Sequence, residues 1–419
     1  MENNAQKYPF GTRPTRLAVI GAGNRATKYA EYARLYPERL QLVAVVEING
    51  LRRRHLARAF GVAEERCFAS HEAFFAAQIE ADMVLIATPD HLHFEPTIKA
   101  IQAGYHILLE KPIAQRLEEC KEIARQAKEH GVRVSICHVL RYHPYFQKIH
   151  DLVHSGKLGK LISMHHTVCV GLDRGTHSYV RGVFRREADS SPMLLAKCCH
   201  DVDFMVWLTD QPCKRVSSFG SLRWLRPENA PEGSAERCVN CSVEATCPFS
   251  ACDLYRTRRD WISNFNVEDG ESLSEAIERE LQEGMHGRCV YRCDNDVVDR
   301  QTATMEMADG SVFNLMIDLF TRDDDRKTTI LLTDGEIVGD ENHLRVRYFR
   351  PEREEVFDFS EVNNTPFHAG ADLRTVEEFL LAIHNPEHPL LTDIEVSIES
   401  HHICYAAEES RHKGQVVTL

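Results

Sequence analysis

The chain lacks any apolar run long enough to cross a membrane, which argues against an integral membrane protein. It also lacks a sustained basic stretch, since 50 lysines and arginines stand against 63 aspartates and glutamates for a net charge of −13. Such a chain offers little attraction to nucleic acid or to an anionic membrane surface, so neither is expected as a partner. Its first residues contain no apolar signal-peptide core, which favours a cytoplasmic protein whose fourteen cysteines stay mostly reduced.

A glycine-rich motif follows the first apolar segment. Leu17–Ile20 predicts a buried strand, after which Gly21, Gly23 and Ala26 form a G-x-G-x-x-A arrangement that opens a helix. In such a motif the first glycine allows a tight turn and the second lets the backbone approach a pyrophosphate. Glu47 ends the next predicted strand, where its carboxylate can accept hydrogen bonds from the ribose and repel a 2′-phosphate. The pattern predicts NAD(H) binding, with NADP(H) less favoured.

Strand and helix patterns keep alternating to about residue 141, which predicts a doubly wound parallel sheet. Ligands of such a sheet lie at the C-terminal ends of its strands. The polar residues at those ends are Thr88, Asp90, Lys111 and Arg141. The arginines at 52–54 leave an alternative open, because they could hold a 2′-phosphate, although a solvated helix face explains them more simply.

The segments GAGNRA, ATPDHLHFEPTIKAIQAGYHILLEKPIA and HDVDFMVWL occur in this order, and the chain ends in HAGADLRTVEEFLLAI and SIESHHICYAAEESRHKGQVV. Together they resemble the Gfo/Idh/MocA family of NAD(P)-dependent oxidoreductases, with EKP as the most specific element. The resemblance implies an α/β Rossmann domain, expected at residues 1–141, and an α+β domain with a large open, mostly antiparallel sheet at residues 142–419. It also implies sugars, cyclitols or their derivatives as substrates. A sheet of that kind commonly pairs with a copy of itself, so a homodimer or homotetramer is expected.

The resemblance assigns proton handling to Lys111 and His200. Lys111 matches the EKP lysine near the nicotinamide, and a lysine in a partly desolvated cleft can accept a hydroxyl proton. His200 matches a histidine that faces the substrate and whose ordinary pKa lies near neutrality. His93 is equally well explained as a structural histidine that caps the next helix. The remaining expected cofactor contacts are Asn24, Arg25, Thr88, Pro89, His93 and Glu110.

The stretch LAKCCHDVDF departs from the family pattern D-x-x-x-H, because Ala196 stands where the aspartate belongs. The next residue, Lys197, could supply a polar contact in its place, with a charge opposite to that of the missing aspartate. Asp201 is predicted to orient His200, cap the helix or contact the substrate. Cys198 and Cys199 are interpreted as buried packing, since adjacent side chains on a helix point apart. Further substrate candidates are Arg141 and, in a predicted loop at 177–192, Tyr179 and Arg181.

A cysteine-rich insertion is expected near residues 226–290, within a domain otherwise made of strands and hairpins such as those at Asp309-Gly310 and Asp334-Gly335. Cys238, Cys241, Cys247 and Cys252 are spaced C-x2-C-x5-C-x4-C, and four thiolates suit tetrahedral zinc. The alternative is four reduced cysteines in a lid loop, so a structural zinc is left open.

The sequence as a whole predicts an NAD(H)-dependent oxidoreductase that transfers a hydride between nicotinamide and a hydroxyl-bearing carbon of a small carbohydrate-like substrate. The missing aspartate leaves a second hypothesis, an NAD-dependent glycosidase that oxidises its substrate transiently. A third hypothesis is a non-catalytic NAD-binding sensor built on the same fold.

Overall fold

The computed structural model describes residues 10–258, 265–268 and 270–419. The chain forms two compact units. The first comprises the chain up to residue 151 together with residues 359–402, and the second comprises residues 152–358 and 403–419. Residues 359–402, which the sequence assigns to the second domain, group with the first unit. In the described part of the chain, no helix combines the length and the apolar character that a membrane span requires.

The strands run in chain order as follows: β1 Thr15–Ile20, β2 Leu40–Val46, β3 Cys67–Phe68, β4 Met83–Ile86, β5 His106–Leu109, β6 Val134–Ile136, β7 Leu161–Val170, β8 Cys213–Ser221, β9 Arg300–Met307, β10 Val312–Asp318, β11 Asp324–Leu332, β12 Gly335–Gly339, β13 His343–Tyr348, β14 Arg353–Asp358 and β15 Val417–Thr418.

The α-helices are α1 Asn24–Leu35, α2 Gly50–Phe60, α3 His71–Ala76, α4 Phe94–Gln102, α5 Leu117–His130, α6 Pro144–His154, α7 Leu172–Gly175, α8 Met193–Thr209, α9 Ala251–Asp253, α10 Leu273–Gln282, α11 Ser360–Asn363, α12 Pro366–Ala369, α13 Ala371–His384 and α14 Ile394–Lys413.

The first unit is built on a parallel sheet. Its described strands lie in the order β3-β2-β1-β4-β5-β6, with every neighbouring pair parallel. All four residues of β4 are fully buried, as expected for a strand covered by helices on both faces. The predicted doubly wound Rossmann sheet is therefore confirmed, and it brings the loops after its strands to one edge.

The core of the first unit includes a helix from far along the chain. Phe379 and Leu380 of α13 are completely buried and belong to the same hydrophobic cluster as Leu17 and Val19 of β1. This packing explains why residues 359–402 belong to the first unit.

The second unit is built on a larger sheet, whose described strands lie in the order β14-β13-β12-β11-β7-β10-β9-β8-β15. Among these strands only the pair β7 and β10 is parallel, so the expected mostly antiparallel sheet is confirmed. Antiparallel hairpins join β9 to β10 through Asp309-Gly310 and β11 to β12 through Asp334-Gly335. Helix α8 contacts β10 on the buried face of this sheet.

Candidate active site

The loop between β1 and α1 is shaped by two glycines. Gly21 has a φ of +91°, and a Cβ added there would come within 2.6 Å of the carbonyl oxygen of Ala87. A Cβ on Gly23 would meet no described atom within 4 Å, so the backbone borders open space there. Within the described residues, no side chain caps the N-terminus of α1, which begins at the exposed Asn24. The loop and the helix therefore offer backbone N–H groups to an anion.

The carboxylate of Glu47, directly after β2, lies beside this glycine loop. Its Oε2 accepts a hydrogen bond from the N–H of Ala22 at 2.8 Å, and its Oε1 accepts one from the N–H of Asn49 at 2.8 Å. Arg53 donates from Nη1 to the carbonyl oxygen of Glu47. The acid that the sequence assigns to the ribose thus lies next to the loop assigned to the pyrophosphate.

Arg25, in the first turn of α1, is held by two carboxylates. Its Nε donates to Oε1 of Glu110 at 2.7 Å, and its Nη2 donates to Oδ1 of Asp372 at 2.7 Å. The hydroxyl of Tyr29 donates to the same oxygen of Glu110 at 3.0 Å. Burial raises the pKa of Glu110, but the charges of Arg25 and Lys111 outweigh burial and hold it below its usual range. The side chains of Arg25 and Glu110, both expected to contact the cofactor, therefore form one ion-pair network.

The imidazole of His93 joins two loops at the sheet edge. One ring nitrogen lies 2.9 Å from the carbonyl oxygen of Thr88, and the other lies 2.7 Å from the carbonyl oxygen of Pro112. His93 is only 1% exposed. It thereby ties the loop that carries Thr88 and Pro89 to the loop that carries Lys111. Within the described residues its side chain does not cap α4. The geometry therefore supports a structural role for His93, but as a link between two loops and not as the expected helix cap.

Lys111 and Arg141 follow neighbouring strands. Lys111 comes directly after β5, is half-buried, and donates its backbone N–H to Oε2 of Glu110 at 2.9 Å. Arg141 follows β6 and is 3% exposed, and its Nη1 donates to the carbonyl oxygen of Leu391 at 3.0 Å. Because β5 and β6 are adjacent in a parallel sheet, both residues lie at the same edge as the glycine loop.

In the second unit, a buried lysine lies near the start of α8. Ala196, where the family pattern has an aspartate, is 1% exposed. The neighbouring Lys197 is 7% exposed, and its Nζ lies 3.5 Å from Oδ1 of Asp324 on β11. Burial lowers the pKa of Lys197 to about 8, with the charge of Arg174 acting in the same direction and that of Asp324 against it. An amine that titrates this close to neutrality can lose and regain a proton under physiological conditions.

Asp201 connects α8 to the sheet. Its Oδ1 lies 3.0 Å from Nε2 of His166 on β7 and accepts a hydrogen bond from Nε of Arg326 on β11. The side chains of Asp201 and His166 are both 0% exposed. Burial raises the pKa of Asp201, but Arg326 and His166 outweigh burial and hold it well below its usual range. Asp201 was predicted to contact the substrate, orient His200 or cap the helix; the structure places it instead in a buried helix-to-sheet contact.

His200 is half-buried and lies three residues after Lys197, so the two share one side of α8. Cys198 and Cys199 are completely buried, and burial raises the pKa of the Cys198 thiol well above its ordinary value. This placement agrees with their interpretation as packing residues. Lys197 and His200 are therefore the two polar candidates in the first half of α8.

The predicted loop at 177–192 is wrong for its first residues, because Thr176–Arg181 forms a helical turn. Tyr179 is 5% exposed, and its ring centroid lies 5.6 Å from that of Phe184. Nδ1 of His177 lies 2.8 Å from the hydroxyl of Tyr255. The aromatic side chains of this segment thus bury themselves in the second unit, which is why it does not form an open loop.

The four cysteines of the C-x2-C-x5-C-x4-C pattern do not all line the same space. Cys238, Cys241 and Cys247 line one small cavity, and the fourth cysteine lining it is Cys289. Cys252 instead lines a separate, wider pocket together with Cys247. The reason is a short antiparallel bridge between Arg237 and Arg288, which spacing along the chain does not reveal.

Sequence reasoning missed the partners that hold these side chains. Asp372 lies within HAGADLR, a segment recognised only as part of the C-terminal helices. Three more partners lie in strands of the larger sheet and were not predicted from the sequence: His166, Asp324 and Arg326. Their only sequence signal is a polar residue inside an otherwise apolar strand pattern, as at His166.

Comparison with protein families identifies both units. Residues 15–138 match an oxidoreductase family with an NAD-binding Rossmann fold, and residues 146–338 match the GFO/IDH/MocA C-terminal domain. The chain belongs to the GFO/IDH/MocA family of oxidoreductases. The match to both GFO/IDH/MocA domains confirms the resemblance seen in the sequence, the expected fold and the assignment of the protein as an NAD-binding enzyme.

Individual relatives of this GFO/IDH/MocA protein resemble it over different lengths. YteT of Bacillus subtilis, named as an oxidoreductase, is 24% identical over 72% of both chains. D-Glucoside 3-dehydrogenase of Escherichia coli is 31% identical over 37% of this chain and 43% of its own length. The structure of levoglucosan dehydrogenase, solved with NADH and levoglucosan, superposes with a TM-score of 0.69 at 17% identity, covering 97% of this chain and 99% of that one. The similarity to levoglucosan dehydrogenase is therefore a similarity of fold alone.

Proposed function

We propose that the protein is an NAD(H)-dependent dehydrogenase that acts on a hydroxyl-bearing carbon of a sugar, cyclitol or sugar derivative. The observation that carries the proposal is the sheet edge of the first unit. There the glycine loop, Glu47 and Lys111 follow β1, β2 and β5 of one parallel sheet. The open backbone at Gly23 suits a pyrophosphate. When bound, the nicotinamide accepts or donates the hydride.

NAD(H) is the favoured dinucleotide. The carboxylate of Glu47 lies at the glycine loop and can accept hydrogen bonds from ribose hydroxyls, whereas a 2′-phosphate would place like charges together. Arg53, which would be needed to hold that phosphate, donates instead to the carbonyl oxygen of Glu47.

Lys111 takes the hydroxyl proton in the oxidation direction and returns it in the reduction direction. The adjacent Glu110 stays ionised, because its pKa is held low, and it fixes the backbone at Lys111. His200 supplies a second group that moves protons, since imidazole changes charge near neutral pH.

Lys197 takes over a substrate contact that the family pattern gives to an aspartate. A carboxylate accepts hydrogen bonds from hydroxyl groups, whereas the amine of Lys197 in its charged form donates to substrate oxygens. The ion pair with Asp324 offsets part of the free-energy cost of burying the charged amine of Lys197. We therefore expect the substrate to present an oxygen acceptor at this point, as a carbonyl, ring oxygen or carboxylate does.

The names of two relatives support the carbohydrate class. D-Glucoside 3-dehydrogenase matches part of the chain, and the neighbour of similar fold is a levoglucosan dehydrogenase. Both names describe dehydrogenases of sugar compounds, which is the chemistry that Lys111 and His200 suit.

We further propose that the chain forms a homo-oligomer through the outer face of its large sheet. That face exposes apolar side chains that a monomer would leave in water. Phe219 on β8 is 71% exposed, and Met316 on β10 is 43% exposed. Both lie in one row, since each is paired across the sheet with Thr302 of β9.

One experiment tests the proposed reaction. Purified protein is incubated with NAD and a panel of sugars, cyclitols and glycosides, while NADH absorbance and product release are followed together. NADH formation with a panel member supports the dehydrogenase, and a Lys111→Met variant should form NADH much more slowly. Glycoside cleavage without net NADH would replace the proposal by a glycosidase. Bound cofactor with neither reaction would indicate a sensor.

A further inference from the structure

The cysteine-rich segment, residues 231–293, is held together by few regular elements. Between β8 and β9 the chain forms short helical turns and the single longer helix α10, as far as its described residues show. Its two ends meet where Arg237 and Arg288 form an isolated antiparallel bridge. The N–H of Cys289 donates to the carbonyl oxygen of Glu236 at 2.9 Å, which places Cys289 beside Cys238.

Four cysteines of this segment surround one cavity. Cys238, Cys241, Cys247 and Cys289 all line a space of about 10 Å³. That volume holds about one water-sized sphere, so it suits a single ion rather than a cluster. Cys238 and Cys241 are joined by a tight turn, in which the N–H of Cys241 donates to the carbonyl oxygen of Cys238 at 3.1 Å. A C-x2-C turn of this kind aims two thiolates at one metal ion.

The sulfurs do not yet stand at ligand distances. Across the described residues, no three cysteine sulfurs lie within 4.8 Å of one another. Tetrahedral zinc, with zinc–sulfur bonds of about 2.3 Å, holds its thiolates about 3.8 Å apart. Cys238 and Cys289 are buried, whereas Cys241 and Cys247 are partly exposed. Metal binding therefore requires the sulfurs to move closer together, and Cys241 and Cys247 lie in the more exposed part of the segment.

A buried positive charge supplies an independent indication of an anionic centre. Arg181 is 0% exposed and lines the same cavity. Its Nε donates to the carbonyl oxygen of Arg288 at 2.7 Å, and its Nη2 donates to that of Phe249 at 2.6 Å. Nη2 also lies 3.8 Å from Sγ of Cys238. Among the residues with described positions, Nη1 has no hydrogen-bond partner, and no carboxylate pairs with the guanidinium.

An isolated buried charge is expensive, and buried charges in proteins are normally paired. Four thiolates outweigh the charge of one divalent ion, so a zinc centre of this type is a net anion. Such a centre next to Arg181 provides the counter-charge that neutral thiols do not.

We propose that Cys238, Cys241, Cys247 and Cys289 bind one structural Zn²⁺ ion, with the buried guanidinium of Arg181 as its counter-charge. Each thiol releases its proton to solvent as its sulfur binds the metal. The ion joins the two ends of the cysteine-rich segment, which Arg237 and Arg288 bring together.

The test is metal analysis of the full-length protein, purified from zinc-supplemented cultures, for zinc and iron. The wild type should carry about one zinc per chain. Cys289→Ser should lose most of it, while Cys252→Ser and Cys293→Ser should keep it. Absence of zinc from the wild type, iron in its place, or loss in Cys252→Ser but not in Cys289→Ser would overturn the proposal.

A second measurement guards against simple misfolding of the cysteine variants. Arg181→Met keeps all four ligands but removes the counter-charge, so it should release zinc to a chelator at least about tenfold faster than the wild type. Arg292→Met removes a partly exposed arginine of the same segment and should release zinc at the wild-type rate. Equal rates in all three proteins would remove the role given to Arg181.

Discussion

Lys197 and Asp324 form an ion pair between a buried lysine and a partly exposed aspartate, with Nζ and Oδ1 3.5 Å apart and side chains that are 9% and 34% exposed. The lysine comes from helix α8, and the aspartate lies at the start of strand β11. Lys197 directly follows Ala196, which stands at the position where the resemblance predicts an aspartate. Lys197 is the residue proposed above to donate to a substrate oxygen.

The activity should depend on the charge of Lys197. Because burial lowers its pKa to about 8, the amine loses its positive charge as the pH rises through that value. A substrate oxygen that accepts a hydrogen bond from the charged amine then loses its donor, so kcat/KM should fall above about pH 8. Profiles measured from about pH 6 to about pH 10 should show this step in the wild type and lose it in Lys197→Arg, which stays charged. Lys214→Met, at an exposed lysine, should keep it.

Removing the charge of Asp201 should destabilise the second unit. Asp201→Asn leaves the buried Arg326 without its closest carboxylate, and such a loss costs about 3–5 kcal/mol. The control Asp210→Asn changes an exposed aspartate at the end of the same helix and should stay near the wild type. Chemical denaturation at neutral pH measures both.

The same variant gives a pH signature. The pKa of Asp201 is lower in the folded chain than in the unfolded one, so its contribution is fully present above about pH 4 and is lost as the pH falls further. The difference in unfolding free energy between wild type and Asp201→Asn should therefore shrink below about pH 4. A difference that stays constant with pH would show that the carboxylate is not ionised in the fold.

Lys111→Met should lower kcat by about 100- to 10,000-fold, the usual contribution of a group that transfers a proton in the transition state. NAD affinity should change little, because the glycine loop and Glu47 stay intact. Steady-state kinetics and cofactor titration separate the two effects, with Lys121→Met on the exposed side of α5 as the matched control. Equal losses in both variants would contradict the role of Lys111.

Glu47→Gln should weaken the preference for NAD over NADP. The neutral amide no longer repels a 2′-phosphate, so the like-charge contact that disfavours NADP is removed. The ratio of kcat/KM values for the two cofactors should shift toward NADP by about tenfold or more. Glu38→Gln, at an exposed carboxylate in the same unit, should leave the ratio unchanged.

Met316→Glu should separate the proposed homo-oligomer into smaller species. The substitution puts a charge in the middle of the outer face of the large sheet, where a partner copy would have to bury it. Light scattering coupled to size-exclusion chromatography measures the mass of each variant. Ile48→Glu adds the same charge at a residue that is 85% exposed in the first unit and should not change the mass.

Much of the nucleotide-binding edge could be predicted because its signals are local. Gly21, Gly23 and Glu47 lie within one strand–loop–helix–strand unit, and their spacing directly reflects the geometry of that unit. Lys111 was found in the same way, as a charged residue directly after a buried strand. The two hairpins of the larger sheet follow from turn residues that lie between two strand patterns.

Contacts between remote segments could not be predicted from the sequence alone. Arg25 and Asp372 are 347 residues apart, yet they form one ion pair. Cys289, and not Cys252, lines the cavity of Cys238 because the bridge between Arg237 and Arg288 joins segments about 50 residues apart, which chain spacing does not show. Asp201 was predicted as a site residue because it follows His200 directly. Its burial against β7 and β11 depends on tertiary packing, which the sequence of one helix does not show.

The position of α13 in the first unit has a consequence for how the protein is made. As the ribosome releases the chain from its N-terminus, strands β1–β6 emerge long before Phe379 and Leu380, which complete their core. Folding of the first unit therefore cannot be completed while residues 152–358 are synthesised, and part of its apolar surface stays uncovered during that time. A chain that stopped at residue 358 would lack Phe379 and Leu380 and would leave that part of the apolar surface in contact with water.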